Sequence, residues 1–228
     1  MPKSQSKSQP KSTLVLLVRH GKTPTTGDKL PGRAPGLHLS DQGREQAERA
    51  AARIGALHRG NNGDKGDKGS VTAVYASPME RTKETAGPIA KAVGKRVRTD
   101  AGLLECEFGA WTGQKLSTLR KKPEWRAVQR YPSSFRFPRG ESFAEMQARM
   151  TDALHRLVAA HPGDTIVAVS HADPIKAAVA DAMGTHLDLF QRIVISPCSI
   201  SAIWYGSDGP AVLTVNSTGD DLRGLALS

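Results

Sequence analysis

The chain has 228 residues, of which 38% are hydrophobic and 24% are charged, with a formal net charge of +10. This length suits one α/β domain, and the balance of apolar and charged residues excludes a disordered chain. The apolar run over 14–18 is far shorter than the roughly 20 residues of a membrane-spanning helix. The sequence therefore predicts a folded protein that does not enter a membrane.

Positive charge is concentrated in two segments. The first twelve residues hold three lysines among Ser, Gln and Pro, without the apolar stretch of a signal peptide. They predict a disordered basic tail over 1–12 and a cytoplasmic protein. Residues 112–140 hold eight basic residues and one acid. Such a segment is expected to face an anionic partner, with a solvated surface as the alternative.

Strands and helices alternate after the tail. The continuous apolar run over 13–18 predicts a strand buried on both faces. Ser40 is predicted to cap a helix whose apolar residues recur at helical spacing as far as Leu57, and 59–70 is predicted to be an exposed loop. Three further elements follow, namely a strand over 71–76, a helix over 78–93 and a strand over 96–99. This order is typical of parallel βαβ units.

The pattern changes over 112–140, where helical periodicity weakens and aromatic residues accumulate. We interpret this stretch as an inserted lid. The elements predicted after it are a helix over 143–158, a strand over 165–169, a helix over 174–183, and a closing hairpin or edge pair over 199–204 and 211–215. The prediction is a single domain over 13–217, followed by a C-terminal tail over 218–228.

Two of the buried strands end in a histidine, His20 and His171. The carboxyl ends of parallel strands form a binding crevice, so both imidazoles are expected in one cleft. A single histidine at a strand end more often has a structural role. For two histidines at the same edge of the sheet, a structural role is less convincing. The planar guanidinium of Arg19 is suited to binding phosphate oxygens. Arg81, in the first turn of a predicted helix, can turn toward the same edge.

Glu105 lies among apolar and aromatic residues in the segment 103–109. Burial there would raise the pKa of its carboxyl and make it a usable proton donor, whereas a solvated loop glutamate is the alternative. For Arg81 the alternative is a salt bridge with Glu80 or Glu84.

Short motifs occur in order along the chain. They are LVRHGKT at 17–23, LS with a following glycine at 39–43, SPMERTKETA at 77–86, LECEFG at 104–109, GES at 140–142 and SH at 170–171. Together they resemble the histidine phosphatase superfamily, its phosphoglycerate mutase-like or histidine acid phosphatase group, over about 13–217. The resemblance implies a three-layer α/β/α fold with a mainly parallel sheet.

The resemblance also implies a role for each candidate residue. His20 would be the nucleophile that becomes a phosphohistidine. Arg19, Arg81 and His171 would bind the phosphoryl oxygens, and Glu105 would protonate the leaving alcohol. No cofactor and no metal are implied, and the ligand types and spacing suggest no divalent-cation site.

Other positions qualify the resemblance. Thr23 is predicted to be a minor phosphate contact. Thr26 stands where many relatives have a phosphate-binding asparagine, so it is a weaker candidate. Ala172 and Asp173 replace the usual glycine pair after the second histidine, which puts an acid near the rim of the cleft.

The predicted activity is that of a metal-independent phosphatase that hydrolyses phosphomonoesters. A phosphoglycerate-type phosphomutase with the same site is the alternative, and a non-catalytic protein that binds anions or nucleic acid is a third, less favoured one. The substrate is expected to be a small phosphorylated molecule with additional negative charge. The lid residues predicted to bind it are Arg120, Lys121, Lys122 and Arg126.

Overall fold

A computed structural model of the chain describes residues 11–60, 70–219 and 222. Its strands and helices are, in chain order, β1 (Thr13–Arg19), α1 (Asp41–Gly60), β2 (Val71–Ala76), α2 (Glu80–Ala92), β3 (Val97–Thr99), α3 (Leu116–Leu119), α4 (Trp125–Arg130), α5 (Phe143–Ala160), β4 (Thr165–Ser170), α6 (Ala172–Ala182), β5 (Ile200–Gly206) and β6 (Gly209–Ser217).

The strands form one mixed sheet in the order β3–β2–β4–β1–β5–β6. The pairs β1–β4, β4–β2 and β2–β3 are parallel, whereas β5 is antiparallel to both β1 and β6. The predicted mainly parallel sheet is therefore confirmed. The predicted closing pair is β5 and β6, with β6 at the edge of the sheet.

Helices cover both faces of the sheet, which completes the predicted three layers. Leu16 of β1 belongs to an apolar cluster that includes Ile54 of α1 and Ile89 of α2. Its neighbour Leu17 belongs to a second cluster, which includes Leu154 of α5. Successive side chains of a strand point to opposite faces, so a strand covered on both faces is expected to be mainly apolar.

Several helix boundaries follow from local hydrogen bonds. Ser40 caps α1 as predicted, because its hydroxyl accepts the N–H of Gly43 at 3.1 Å. Helix α2 begins later than predicted, because the N–H of Ser77 still donates to the carbonyl of Val169 at 3.0 Å and continues the sheet. Helix α6 begins at Ala172, before the predicted start at 174.

The segment 112–140 contains two short helices, α3 and α4, and packs on an apolar cluster that joins it to α5 and α6. Phe137 lies at the centre of the aromatic contacts. Its ring centroid is 4.9 Å from that of Phe108, 5.4 Å from Trp111 and 5.1 Å from Phe143. The aromatic residues concentrated here thus form a local core, and the movement of this segment as a lid stays a prediction.

Three predicted irregular segments lie wholly or partly outside the described residues. These are the tail over 1–12, the loop over 59–70 and the tail over 218–228. Helix α1 extends to Gly60, and Leu222 is buried in the cluster of α1 and α2. Within the described part of the chain, no helix has the length and apolar character needed to cross a membrane. Both cysteines are buried and unpaired.

Candidate functional site

The carboxyl ends of β1 and β4 bring His20 and His171 together. The two strands are neighbours, and the N–H of His20 donates to the carbonyl of Ser170 at 3.0 Å. The centroids of the two imidazole rings are 5.2 Å apart, with the planes inclined by 65°. The two histidines at strand ends therefore lie side by side.

Hydrogen bonding and burial define the state of His20. Its Nδ1 lies 2.7 Å from the carbonyl oxygen of Gly21. A carbonyl can only accept, so Nδ1 carries the proton and Nε2 holds a free lone pair. Burial, and then the charges of Arg81 and Arg19, hold the pKa of His20 well below its usual value. The result is a neutral imidazole with an unprotonated Nε2, which is the form of a nucleophile.

His171 is held as the opposite tautomer. Its Nδ1 lies 3.3 Å from Nη2 of Arg81 and its Nε2 lies 2.9 Å from the hydroxyl oxygen of Ser77. A guanidinium can only donate, so Nδ1 accepts and Nε2 carries the proton toward Ser77. Burial, followed by the charges of Arg81 and His20, lowers the pKa of His171. Sequence reasoning did not identify Ser77 as a site residue, although it ends a strand as His20 does.

Some buried guanidinium N–H groups of this site lack a hydrogen-bond acceptor among the described residues. Nη2 of the fully buried Arg81 donates to the carbonyl of Gly32 at 2.7 Å. Its Nε and Nη1, and Nε of Arg19, are buried without a hydrogen-bond partner among the described residues. Unpaired buried donors are costly, and charged ones more so. These donors therefore indicate that an anionic ligand completes the site.

Glu105 and Asp173 are the acidic residues among the described residues that line the cleft. The side chain of Glu105 is buried, and its Oε1 accepts the N–H of Cys106 at 3.0 Å. Burial raises the pKa of Glu105 to about 7, with a smaller contribution from Asp173, while Arg81 opposes the increase. Near neutral pH this carboxyl can either donate or accept a proton.

Two arginines fix the backbone that carries Glu105. Nε of Arg33 donates to the Glu105 carbonyl at 2.8 Å, and Nη1 of Arg149 donates to the carbonyl of Leu104 at 3.0 Å. Glu141 connects the two, accepting Nη2 of Arg33 at 3.0 Å and Nε of Arg149 at 2.8 Å. Sequence reasoning noted Glu141 only as part of a motif and missed both arginines, for which no local signal exists.

A cleft of about 390 Å³ opens at these groups, and Arg19, His20, Thr23 and Glu105 line one end of it. Arg81 and His171 lie fully buried behind that end. The hydroxyl of Thr23 is 2.9 Å from that of Thr26, which also lines the cleft. Within the described ranges, no three His, Cys, Asp or Glu side chains form a group that could hold a metal ion.

The structure places the predicted substrate-binding residues of the lid segment elsewhere. Arg120, Lys121, Lys122 and Arg126 are not among the described residues that line the cleft. Helix α4 instead turns Trp125, Val128 and Gln129 toward it. The four basic residues therefore do not form part of the cleft wall, and their role in binding a substrate stays a prediction.

Two lysines line the cleft that sequence reasoning did not single out. Lys29 is exposed, in the loop between β1 and α1. Lys176 lies one turn after Asp173 on α6, and its Nζ donates to Oδ1 of Asp173 at 3.1 Å and to Oε1 of Gln191 at 3.0 Å. The spacing of Asp173 and Lys176 was the available signal for this pair.

Comparison with known proteins agrees with this geometry. The family model of the histidine phosphatase superfamily (branch 1) matches residues 15–218. The chain is 31% identical over 194 residues to a probable phosphoglycerate mutase of Cronobacter sakazakii, covering 84% of each protein. It is 28% identical over 209 residues to phosphoserine phosphatase 1 of Hydrogenobacter thermophilus, covering 90% of this chain and 92% of that one.

Longer relatives and solved structures complete the comparison. Relatives from Mycobacterium tuberculosis are 32% identical over 209 residues, and the chain spans 54% of their length, about half. The solved structure of a mycobacterial glucosyl-3-phosphoglycerate phosphatase superposes with a TM-score of 0.77 at 21% identity, covering 91% of this chain and 100% of that one. This likeness shows a common fold.

Proposed function

Because the chain belongs to the histidine phosphatase superfamily, we propose that it hydrolyses phosphomonoesters by way of a phosphohistidine on His20. Phosphatases and a probable phosphoglycerate mutase among its relatives support a phosphoryl-transfer enzyme. The observation that carries the proposal is the free Nε2 of His20 beside buried guanidinium donors that lack an acceptor.

The proposed reaction has two displacements at phosphorus. Nε2 of His20 attacks, the P–O ester bond breaks, and the proton of Glu105 passes to the departing alkoxide oxygen. Water then attacks the phosphohistidine, Glu105 accepts its proton, and the P–N bond breaks to release phosphate and restore His20. Arg19 and Arg81 stabilise the charge on the phosphoryl oxygens in both transition states. His171 accepts a hydrogen bond from Arg81 and so helps to orient that guanidinium.

Phosphatase and mutase differ in what accepts the phosphoryl group from His20. A mutase has to keep its intermediate bound and exclude water. Exposed residues such as Lys29, Gln129 and Val194 line this cleft, so it is open to solvent. This openness favours hydrolysis. The identity to a probable phosphoglycerate mutase keeps the second activity as an alternative. Incubation with 3-phosphoglycerate distinguishes them, because a phosphatase releases phosphate and a mutase forms the 2-phospho isomer.

The nucleophile is tested by the substitution His20→Ala. We expect the parent protein to turn over phosphomonoesters in EDTA and to yield an acid-labile, base-stable phosphoenzyme, and the variant to do neither. The exposed His155 provides a control, and His155→Ala should retain parent activity. Residual turnover of His20→Ala within about tenfold of the parent contradicts the proposal. Loss of parent activity in EDTA contradicts its metal-independent form.

A further inference from the structure

The cleft beyond His20 and Glu105 has mainly apolar walls. Val194 is 65% exposed although it is a large apolar residue. Leu30, Leu116, Trp125 and Ile193 line the same cleft and are half-buried. Apolar side chains that are grouped around a cleft and partly exposed to it indicate a site for an apolar ligand. We call this group the apolar subsite; its members are Leu30, Leu116, Trp125, Val128, Ile193 and Val194.

The charged side chains of this part of the cleft provide little for a second anion. The charge of Lys176 is matched by Asp173 at 3.1 Å, and its Nζ also donates to Gln191. Lys29 is exposed, so water screens its charge. The strongly basic stretch of the lid segment does not line the cleft within the described residues. The alcohol part of a substrate would therefore meet apolar walls and a neutralised ion pair.

We infer that the apolar subsite binds the alcohol part of the substrate, and that this substrate is a phosphomonoester of a bulky, mainly apolar alcohol. The inference rests on the proposed function, which places the phosphoryl group at His20. The volume of about 390 Å³ lies in the range of roughly 300–1,000 Å³ typical of clefts that bury a drug-sized ligand. A three-carbon acid phosphate would leave most of the apolar walls in contact with water.

A series of linear alkyl phosphates tests the substrate class. Ethyl, butyl and hexyl phosphate have leaving groups of similar basicity, so differences in kcat/KM report the binding of the apolar chain. Burial of each methylene is worth up to about fourfold in affinity. We expect kcat/KM to rise at least about tenfold from ethyl to hexyl phosphate, and to be lower for 3-phosphoglycerate than for hexyl phosphate. A flat or falling series, or a preference for 3-phosphoglycerate, overturns the inference.

The variant Val194→Ser links the preference to the apolar subsite. Val194 is largely exposed, so its substitution should not affect folding. We expect a threefold or larger loss of kcat/KM for hexyl phosphate and little change for ethyl phosphate. Val215→Ser is the matched control, because Val215 is an exposed valine of β6 that does not line the cleft. Equal effects of the two variants on hexyl phosphate contradict the assignment.

Binding of alkylphosphonates separates this inference from the proposed function. These analogues cannot be hydrolysed, and calorimetry measures their dissociation constants without turnover. Tighter binding of hexylphosphonate than of ethylphosphonate, without turnover of any ester, supports the apolar subsite and contradicts the phosphatase. Turnover that is indifferent to chain length supports the phosphatase and overturns the apolar subsite. Absence of both turnover and phosphonate binding overturns the two together.

Discussion

Burial sets the protonation states of the titratable side chains that meet at the cleft. It lowers the pKa of His20 and His171 and raises that of Glu105 to about 7, because removal from water disfavours each charged form. The nearby arginines reinforce the effect on the imidazoles and oppose it on the carboxyl. A neutral imidazole and a protonated carboxyl can therefore coexist near neutral pH, which the proposed first displacement requires.

The raised pKa of Glu105 has a cost in stability at high pH. Its pKa is about 7 in the folded protein against an ordinary value of 4.5, so folding is increasingly opposed as the pH rises between these values. Glu105→Gln removes the ionisable group. We expect this variant to be more stable than the parent at pH 8, by up to about 3 kcal/mol. The gain should shrink toward pH 5, because the carboxyl is then protonated in the folded state and begins to gain protons in the unfolded state as well.

Urea unfolding at pH 5 and pH 8 measures this difference. Glu107→Gln is the control, since Glu107 is a more exposed neighbour in the same segment. The stabilised variant should also lose turnover of alkyl phosphates, because Gln cannot transfer a proton. The same stability difference between Glu105→Gln and the parent at both pH values would contradict the raised pKa.

At the scale of elements, helix α5 positions the loop that carries Glu105. Arg149 of α5 and Arg33 of the β1–α1 loop both bond to Glu141, which lies just before α5. Glu141→Gln keeps the shape of the side chain but removes the charge that holds the two guanidinium groups. We expect this variant to lower kcat for alkyl phosphates roughly tenfold, with little change in KM, because Glu105 is displaced as a proton donor.

The leaving group distinguishes this positioning role from a general loss of structure. The leaving group of 2,4-dinitrophenyl phosphate departs without a proton, so its turnover should fall much less than that of an alkyl ester. Glu145→Gln is the matched control, since Glu145 pairs with the exposed Arg136 rather than with the loop of Glu105. Equal losses for both substrates would assign Glu141 a purely structural role.

The basic lid segment is a second element with a testable role. Because the four predicted residues do not line the cleft, we expect their replacement by Gln to act through weaker long-range attraction. KM should rise several-fold for polyanionic substrates and less for p-nitrophenyl phosphate. Added salt should mimic the change, since the Debye length is only about 8 Å at 0.15 M ionic strength. The residues to be replaced together are Arg120, Lys121, Lys122 and Arg126.

Steady-state kinetics at low and physiological salt provide the measurement. The control for net charge replaces four other exposed basic residues by Gln, on α1 and α2 and away from the cleft: Arg44, Arg49, Lys83 and Lys91. A change of KM that is the same for both substrate types, or absent, would identify the lid charges as a solvated surface.

At the scale of the whole molecule, the fold brings two arginines from distant parts of the chain together at the carboxyl ends of the central strands. Strands β1 and β4 lie at the centre of the sheet and end beside the start of α2, so Arg19 and Arg81 converge there. An anion bound between these arginines should stabilise the entire domain by mass action. Tungstate at about 100 times its Kd, with EDTA present, contributes about 2.7 kcal/mol and should raise Tm by roughly 5–10 °C. A similar rise in chloride of equal ionic strength would contradict specific binding.

Local pattern determined much of this architecture. Continuous apolar runs predicted the central strands, because a strand covered on both faces buries most of its side chains. The alternation of strands and helices predicted the mainly parallel sheet, and the capping Ser40 predicted the start of α1. His20 and His171 could be assigned to one edge because parallel strands end on the same side. Each of these inferences depends on residues that are close together in the chain.

Only the tertiary structure decided which distant groups surround those residues. Arg81 bonds to Gly32, Ser77 to His171, and Arg33 to Glu141, and each pair is separated by tens of residues. The lid segment shows the same limit, since its composition indicates basic residues but not that α4 turns Trp125 toward the cleft. Local sequence sets periodicity and charge, whereas the direction of a side chain depends on how separate elements pack, and that packing is settled by the whole chain at once.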